Sequence, residues 1–174
     1  MADAREPIFD PQRILFVLGA HQVDFVIVGG IAVQSHGHGR FTRDLDIVPK
    51  LELLNLSRLG EALAELEARP FRARARIDVT DPQVLRRVPQ IVLITRHGRL
   101  DLLSIEHLAG APRSYELLRS HAVEAQVDGR TFAVAGLDDL IRMKRAAGRD
   151  RDLEDIGALT RDDDELEEEA SRST

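Results

Sequence analysis

Apolar residues recur at helical spacing over Pro11–Ala20, where Ile14, Leu15, Val17 and Leu18 follow the start signal Asp10-Pro11, and the pattern predicts an amphipathic helix. Asp24–Val28 (DFVIV) is a short β-branched run that stops at Gly29-Gly30, and Ile31–His36 then suits a brief helix, so strand, glycine turn and helix are expected in that order. The polar loop HGHGRFTR at 36–43 leads to Asp44–Val48 (DLDIV), where charged and apolar residues alternate before Pro49; this predicts a strand with one wet face. Leu51–Ala68 carries a broad leucine stripe and reads as a surface helix packed over a sheet. From Pro70 to Pro89 the pattern is poorer, with RARAR at 72–76 and a short helix at Pro82–Arg87. Strands are expected at Ile91–Thr95 and Arg99–Ile105 around His97-Gly98, and at Ala122–Val127 and Thr131–Ala135 around Asp128-Gly129, the strongest hairpin signal in the chain. Helices at Leu137–Ala146, begun by Gly136, and at Arg151–Leu159 complete the pattern.

These elements predict one α/β (α+β) domain over residues 1–161, a mixed and mainly antiparallel sheet with helices packed against it, followed by an acidic tail at 162–174 expected to be disordered. That tail explains the formal net charge of -6: Asp162–Glu169 holds 7 of the 30 acids, which leaves 23 acids and 23 bases in residues 1–161. A neutral body sets up no global field for nucleic acid. No stretch approaches the roughly 20 apolar residues that cross a bilayer. The N-terminus lacks the order of a signal peptide, so a cytoplasmic protein without a membrane partner is expected. The absence of cysteine excludes disulfides, thiolate zinc sites and a Cys nucleophile, leaving carboxylates, His, Ser and Lys for chemistry. Lysine is used only at Lys50 and Lys144.

The residues that carry chemistry are VGG at 28–30, DLD at 44–46 and LDLL at 100–103, each on or beside a predicted strand. Side chains two apart on a strand face the same side at about 7 Å between alpha carbons, so Asp44 and Asp46 project together while Leu45 and Ile47 point into the core. Two carboxylates that close repel unless a cation sits between them, and oxygen-only ligands suit Mg or Mn. Asp101 interrupts an apolar strand and is expected on the same wet site, on the side of an attacking hydroxyl; three such carboxylates can hold the paired metals of an in-line displacement. Gly29 and Gly30, between a strand and a helix N-terminus, would let backbone amides approach the β- and γ-phosphates.

In this order the motifs resemble the nucleotidyltransferase superfamily and its polymerase-beta-like fold, and within it the small bacterial branch related to the AbiEii-type abortive-infection toxins. VGGIAVQSHGHGRFTRDLDIVP at 28–49 resembles the first motif, including Arg40 and Thr42 ahead of the acids, and LDDLIRMKRAAGRDRDLEDI at 137–156 resembles the C-terminal helix pair. The resemblance covers roughly residues 24–160. It implies transfer of a nucleoside monophosphate from a nucleoside triphosphate to a hydroxyl on RNA (tRNA included), protein or a small molecule, with release of pyrophosphate. It further implies Asp44, Asp46 and Asp101 as metal ligands, Lys144 facing the triphosphate, Asp152 supporting the site, and a cognate antitoxin as a partner. Position 30 is Gly where many members place a Ser, so only its amide is available for phosphate.

Other readings stand beside these. Lys144 can be a surface lysine that satisfies a helix C-terminus, and Asp152 a helix-start cap with surface ion pairs. Arg40 and Arg43 can grip phosphate or be solvated, and the His36–His38 pair has no evident third metal partner. With aromatics at 4 per cent, an RNA acceptor would rest on arginines such as Arg72, Arg74, Arg76, Arg86 and Arg87. The competing functions are a non-catalytic nucleotide- or partner-binding module and a metal-dependent phosphohydrolase.

Overall fold

The computed structural model describes residues 7–39, 41–71 and 77–160. Helix α1 (Pro11–Ala20) starts where expected because the Asp10 side chain accepts from the Arg13 amide and Pro11 supplies a φ suited to the first turn. Strand β1 (Phe25–Val28) is buried along its length and runs without a separate turn into helix α2 (Gly29–Ser35). Strand β2 (Asp44–Pro49) follows, then helix α3 (Leu53–Glu65), which ends before the expected Ala68 because Glu67 takes a φ of 54° and leaves the helical path.

Strand β3 (Arg69–Pro70), helix α4 (Pro82–Arg87) and strands β4 (Gln90–Thr95) and β5 (Gly98–Leu103) come next. The strand expected to reach Ile105 stops at Leu103; Ile105–His107 forms a 3-10 turn instead, in which the His107 amide donates to the Ser104 carbonyl. Helix α5 (Tyr115–His121), capped by Ser114 Oγ, was not expected. The hairpin of β6 (Val123–Val127) and β7 (Arg130–Val134) turns on Asp128 and Gly129, both at positive φ, as a tight two-residue connection requires. Helix α6 (Leu137–Ala147) and a final helix, α7, over 150–160 close the described chain.

Among the described residues the seven strands form one sheet in the order β3-β4-β5-β2-β1-β7-β6. It is mixed and mainly antiparallel as expected; only β2 with β5 and β1 with β7 run parallel. Leu45, Ile47, Leu93 and Leu100 join the helix leucines Leu56, Leu59 and Leu63 in one continuous apolar core. Buried Asn55 fastens α3 to the strand ends, since its side-chain amide donates to the carbonyls of Asp24 and Lys50 while its oxygen accepts from the Asp24 amide. No described helix is long and apolar enough to cross a membrane. The acidic tail at 162–174 and the arginines at 72–76 lie outside the described residues.

Candidate active site

Strands β2 and β5 run parallel in the register Asp44 beside Arg99 and Asp46 beside Asp101. Because alternate residues share a face, these four side chains occupy the corners of a square on one side of the sheet, while Leu45, Ile47, Leu100 and Leu102 are buried in the core. Asp44, Asp46 and Asp101 each contribute a carboxylate oxygen, all within 4.8 Å of one another. Val28 pairs with Asp46 on the other side of β2, which sets Gly29 and Gly30 at the start of α2 beside the acids.

Each corner is held differently. Thr42 Oγ1 donates to Asp44 Oδ1 at 2.9 Å, so the expected site residue Thr42 acts here by orienting the first carboxylate. Asp101, the buried corner, accepts a fork from Arg99, Nε to Oδ1 at 2.8 Å and Nη2 to Oδ2 at 2.9 Å. That hydrogen bond to Asp101 is the main reason the Arg99 guanidinium is held above its ordinary pKa. Asp46 stands between the other acids, and its carboxyl is pushed up to about 7, first by burial and then by the charges of Asp44 and Asp101, with Arg99 and Arg149 opposing. The cluster is thus short of positive charge. An all-oxygen donor set of this spacing fits a hard divalent cation such as Mg or Mn, with Asp44, Asp46 and Asp101 as the residues that would hold it.

Gly29 is required twice over. Its φ of 65° favours glycine, and a Cβ built there would overlap the Asp46 carboxylate. The same absence of side chain opens the backbone of Gly29 and Gly30 to the cleft.

The cleft has a volume of about 720 Å³, and Gly29, Gly30, Asp44, Asp46 and Asp101 face Lys144 and Asp152 across it. Neither of the last two is a surface group. Lys144 is 5 per cent exposed, and its Nζ donates to Asp155 Oδ2 at 2.6 Å and to Asp152 Oδ1 at 3.3 Å. Asp152 does take part in starting α7, accepting from the Arg149 amide at 3.4 Å, yet it is buried and also accepts from Arg149 Nε at 2.7 Å. Burial would raise the Asp152 carboxyl, but the Arg149 hydrogen bond and the Lys144 charge outweigh it and hold the group below its ordinary value.

Of the other residues singled out in the sequence, Arg40 lies outside the described residues. Arg43 stacks over the Phe41 ring at 5.5 Å, and His36 donates through Nε2 to the Ala135 carbonyl at 2.9 Å, which gives neither a place in the carboxylate cluster. Sequence reasoning passed over three charged residues: Arg99, Arg149 and Asp155. Arg99 was findable, since it lies two positions before Asp101 on the same strand and so shares its face. Arg149 and Asp155 depend on how α6 and α7 pack, which no local spacing reveals.

No family model and no curated protein sequence matches the chain. Solved structures do resemble it. The lincosamide antibiotic adenylyltransferase LnuA, bound to lincomycin, superposes with a TM-score of 0.57 at 14% identity, covering 89% of this chain and 98% of its own. ANT(2")-Ia, in complex with adenylyl-2"-tobramycin, gives 0.56 at 15% identity over 86% of this chain and 84% of its own. An antigenic nucleotidyltransferase-like protein from Paracoccidioides brasiliensis gives 0.56 at 13% identity, with 88% and 77% covered. At such identities the likeness establishes the fold, which is that of the nucleotidyltransferases, and the chain spans most of the length of each neighbour.

Proposed function

We propose that this protein is a divalent-metal-dependent nucleotidyltransferase that moves a nucleoside monophosphate from a nucleoside triphosphate to an acceptor hydroxyl and releases pyrophosphate. One observation carries the reading: three carboxylates converge on one face of two parallel strands, directly beside Gly29 and Gly30, which open α2 and line the same cleft. A phosphohydrolase would need the carboxylates but not that glycine pair. Superposition on a structure named as an adenylyltransferase, and on one in complex with adenylyl-2"-tobramycin, supports the same reaction class.

The chain's own groups divide the work. The amides at Gly29 and Gly30 receive the triphosphate, and the N-terminus of α2 favours its negative charge. Asp44, steadied by Thr42, and Asp46 would hold Mg or Mn together with Asp101. A cation bound there supplies neutralisation of phosphate charge and polarisation of the acceptor oxygen. The acceptor oxygen forms a bond to the α-phosphorus, the bond from that phosphorus to the bridging oxygen breaks, and pyrophosphate leaves with the electron pair. The hydroxyl proton passes to Asp101, the carboxylate on the acceptor side. Arg99 must loosen its fork for this, and its side chain, 38 per cent exposed, has room to turn toward the cleft.

The acceptor is a hydroxyl on RNA, protein or a small molecule. The sequence resemblance favours a macromolecule and a toxin role with a cognate antitoxin, whereas two structural neighbours are named with antibiotics. The competing possibility, a binding module that keeps the pocket without chemistry, draws on Arg99 occupying both oxygens of Asp101.

Incubation with each α-labelled nucleoside triphosphate, Mg and a bacterial lysate, followed by RNase or protease digestion, tests the proposal. Label carried by the unmodified protein but not by Asp44→Ala/Asp46→Ala supports it, and the digestion names the acceptor class. Magnesium-dependent nucleotide binding without transfer to any acceptor would favour the binding module.

A further inference from the structure

The cleft that holds Gly29, Gly30 and the three acids is also lined by the cations Arg99, Lys144, Arg149 and Arg151; Arg99 is engaged by Asp101, so a cation for the outer phosphates of a nucleotide is sought on α6 and α7. Lys144 is poorly placed for this. Its ammonium is buried and shared by Asp155 and Asp152, and drawing it onto a phosphate would break two hydrogen bonds to buried carboxylates, 2.6 Å to Asp155 and 3.3 Å to Asp152. Arg151 also lines the cleft, but it has no described hydrogen bond or ion pair to hold it, so ordering it would cost more side-chain entropy.

Arg149 meets both requirements. Gly148, at a φ of 63°, ends α6 with its amide on the Lys144 carbonyl. That left-handed turn lets α7 begin at once and leaves Arg149 at its cap position, on the cleft wall. Its Nε donates to Asp152 Oδ2 at 2.7 Å and its Nη2 more weakly to Oδ1 at 3.4 Å, while Nη1 has no partner among the described residues. The guanidinium is therefore anchored along one edge and open along the other, with its side chain 76 per cent exposed. Charges alternate from the interior outward as Asp155, Lys144, Asp152 and Arg149. Arg149 shares the cleft lining with Asp46 and Asp44, whose carboxylate charges act on its guanidinium.

We infer that Arg149 grips the outer phosphates of the bound nucleotide, and that Lys144, Asp152 and Asp155 are positioning residues that aim it. This rests on the nucleotidyltransferase reading of the cleft and refines it by moving phosphate contact from Lys144 to Arg149. A planar guanidinium with one edge already fixed presents the other to phosphate oxygens at little further entropic cost.

Calorimetric titration with ATP and with inorganic tripolyphosphate, in Mg and in its absence, tests the inference on the full chain. The variants are Arg149→Gln, Arg149→Lys, Lys144→Met, Asp155→Asn and, as a same-charge control, the exposed Arg13→Gln. Arg149→Gln is expected to weaken both ligands by about tenfold or more while the protein stays folded, with a smaller fall in melting temperature than Lys144→Met because Lys144 still faces Asp152. Arg149→Lys should recover only part of the loss, and Arg13→Gln none of it. Lys144→Met and Asp155→Asn should lower the melting temperature as well as the affinity, because they act through the packing of α7. Wild-type binding that Arg149→Gln leaves unaltered overturns the inference alone. Absence of binding of either ligand to the wild type overturns the nucleotide reading of the cleft and the inference with it.

Discussion

Asp46 is the residue whose ionisation most directly reports the state of the site. With its carboxyl pushed up to about 7 by burial and then by its two acidic neighbours, the folded, metal-free protein keeps a proton that the unfolded chain releases near the ordinary value of 3.8. The folded state binds more protons across that window, so metal-free stability should fall as pH rises from about 4 to 7, opposite in sign to a carboxylate stabilised by a salt bridge. Metal binding requires the carboxylate, so affinity for Mn or Mg should climb with pH up to about 7 and level off above it. Calorimetry at pH 6 in buffers of different ionisation heat should detect release of close to one proton per metal site, and no release would exclude Asp46 as the ligand. Arg99→Gln removes the fork on buried Asp101 and should cost about 2 kcal/mol in chelator, measured by urea unfolding. The same variant should show a larger stabilisation by metal than the wild type, because Asp101 then has no other cation. Gly29→Ala combines a strained φ with overlap on Asp46 and should lower stability by about 1–3 kcal/mol while abolishing metal-induced stabilisation. Retained metal binding in that variant would show that Gly29 does not shape the cluster. At this scale the acids were legible because strand alternation fixes which side chains share a face, and the glycines because they end an apolar β-branched run; Arg99 obeyed the alternation rule and was passed over because an arginine beside an acid looks like ordinary surface composition.

Among the elements, those with a strong period or a capping signal stand where the sequence placed them, as Asp10-Pro11 before α1 and Asp128-Gly129 between β6 and β7 illustrate. Those that exist through tertiary contact were hidden. Strand β3 is two residues long and is defined by pairing with Leu93 and Ile94 of β4. Helix α5 has only seven residues and buries Tyr115 and Leu118, too little for a period to register, although Ser114 marks its start. Tyr115 secures the element by donating to Asp24 at 2.6 Å at the head of β1. The α6–α7 pair was legible as two helices, but the buried ion pairs that join them were not, because Lys144 and Asp155 lie eleven positions apart on different helices. Replacing Lys144 with Met removes the buried ammonium that bonds Asp155 and Asp152 and should destabilise the protein by about 3–5 kcal/mol. Urea unfolding checks the magnitude. A change below about 1 kcal/mol would mean that α7 is held by its apolar contacts alone.

For the whole molecule, a neutral body of 23 acids and 23 bases sets up no global field, and the candidate site is a local concentration of charge in one cleft. The parallel pairing of β2 with β5 is the topological act that creates this concentration, since it brings residues 44–46 and 99–101 side by side from distant parts of the chain. The two halves of the site were readable separately; their register was not, because pairing between distant strands leaves no mark on local pattern. The most direct test of the account is a paired incubation of the protein, Mg and the acceptor fraction identified by labelling, once with α-labelled and once with γ-labelled nucleoside triphosphate. The account predicts α-label on the acceptor and γ-label in pyrophosphate, in equal amounts, and neither with Asp44→Ala/Asp46→Ala. Release of γ-label as orthophosphate with no α-label transferred would contradict it.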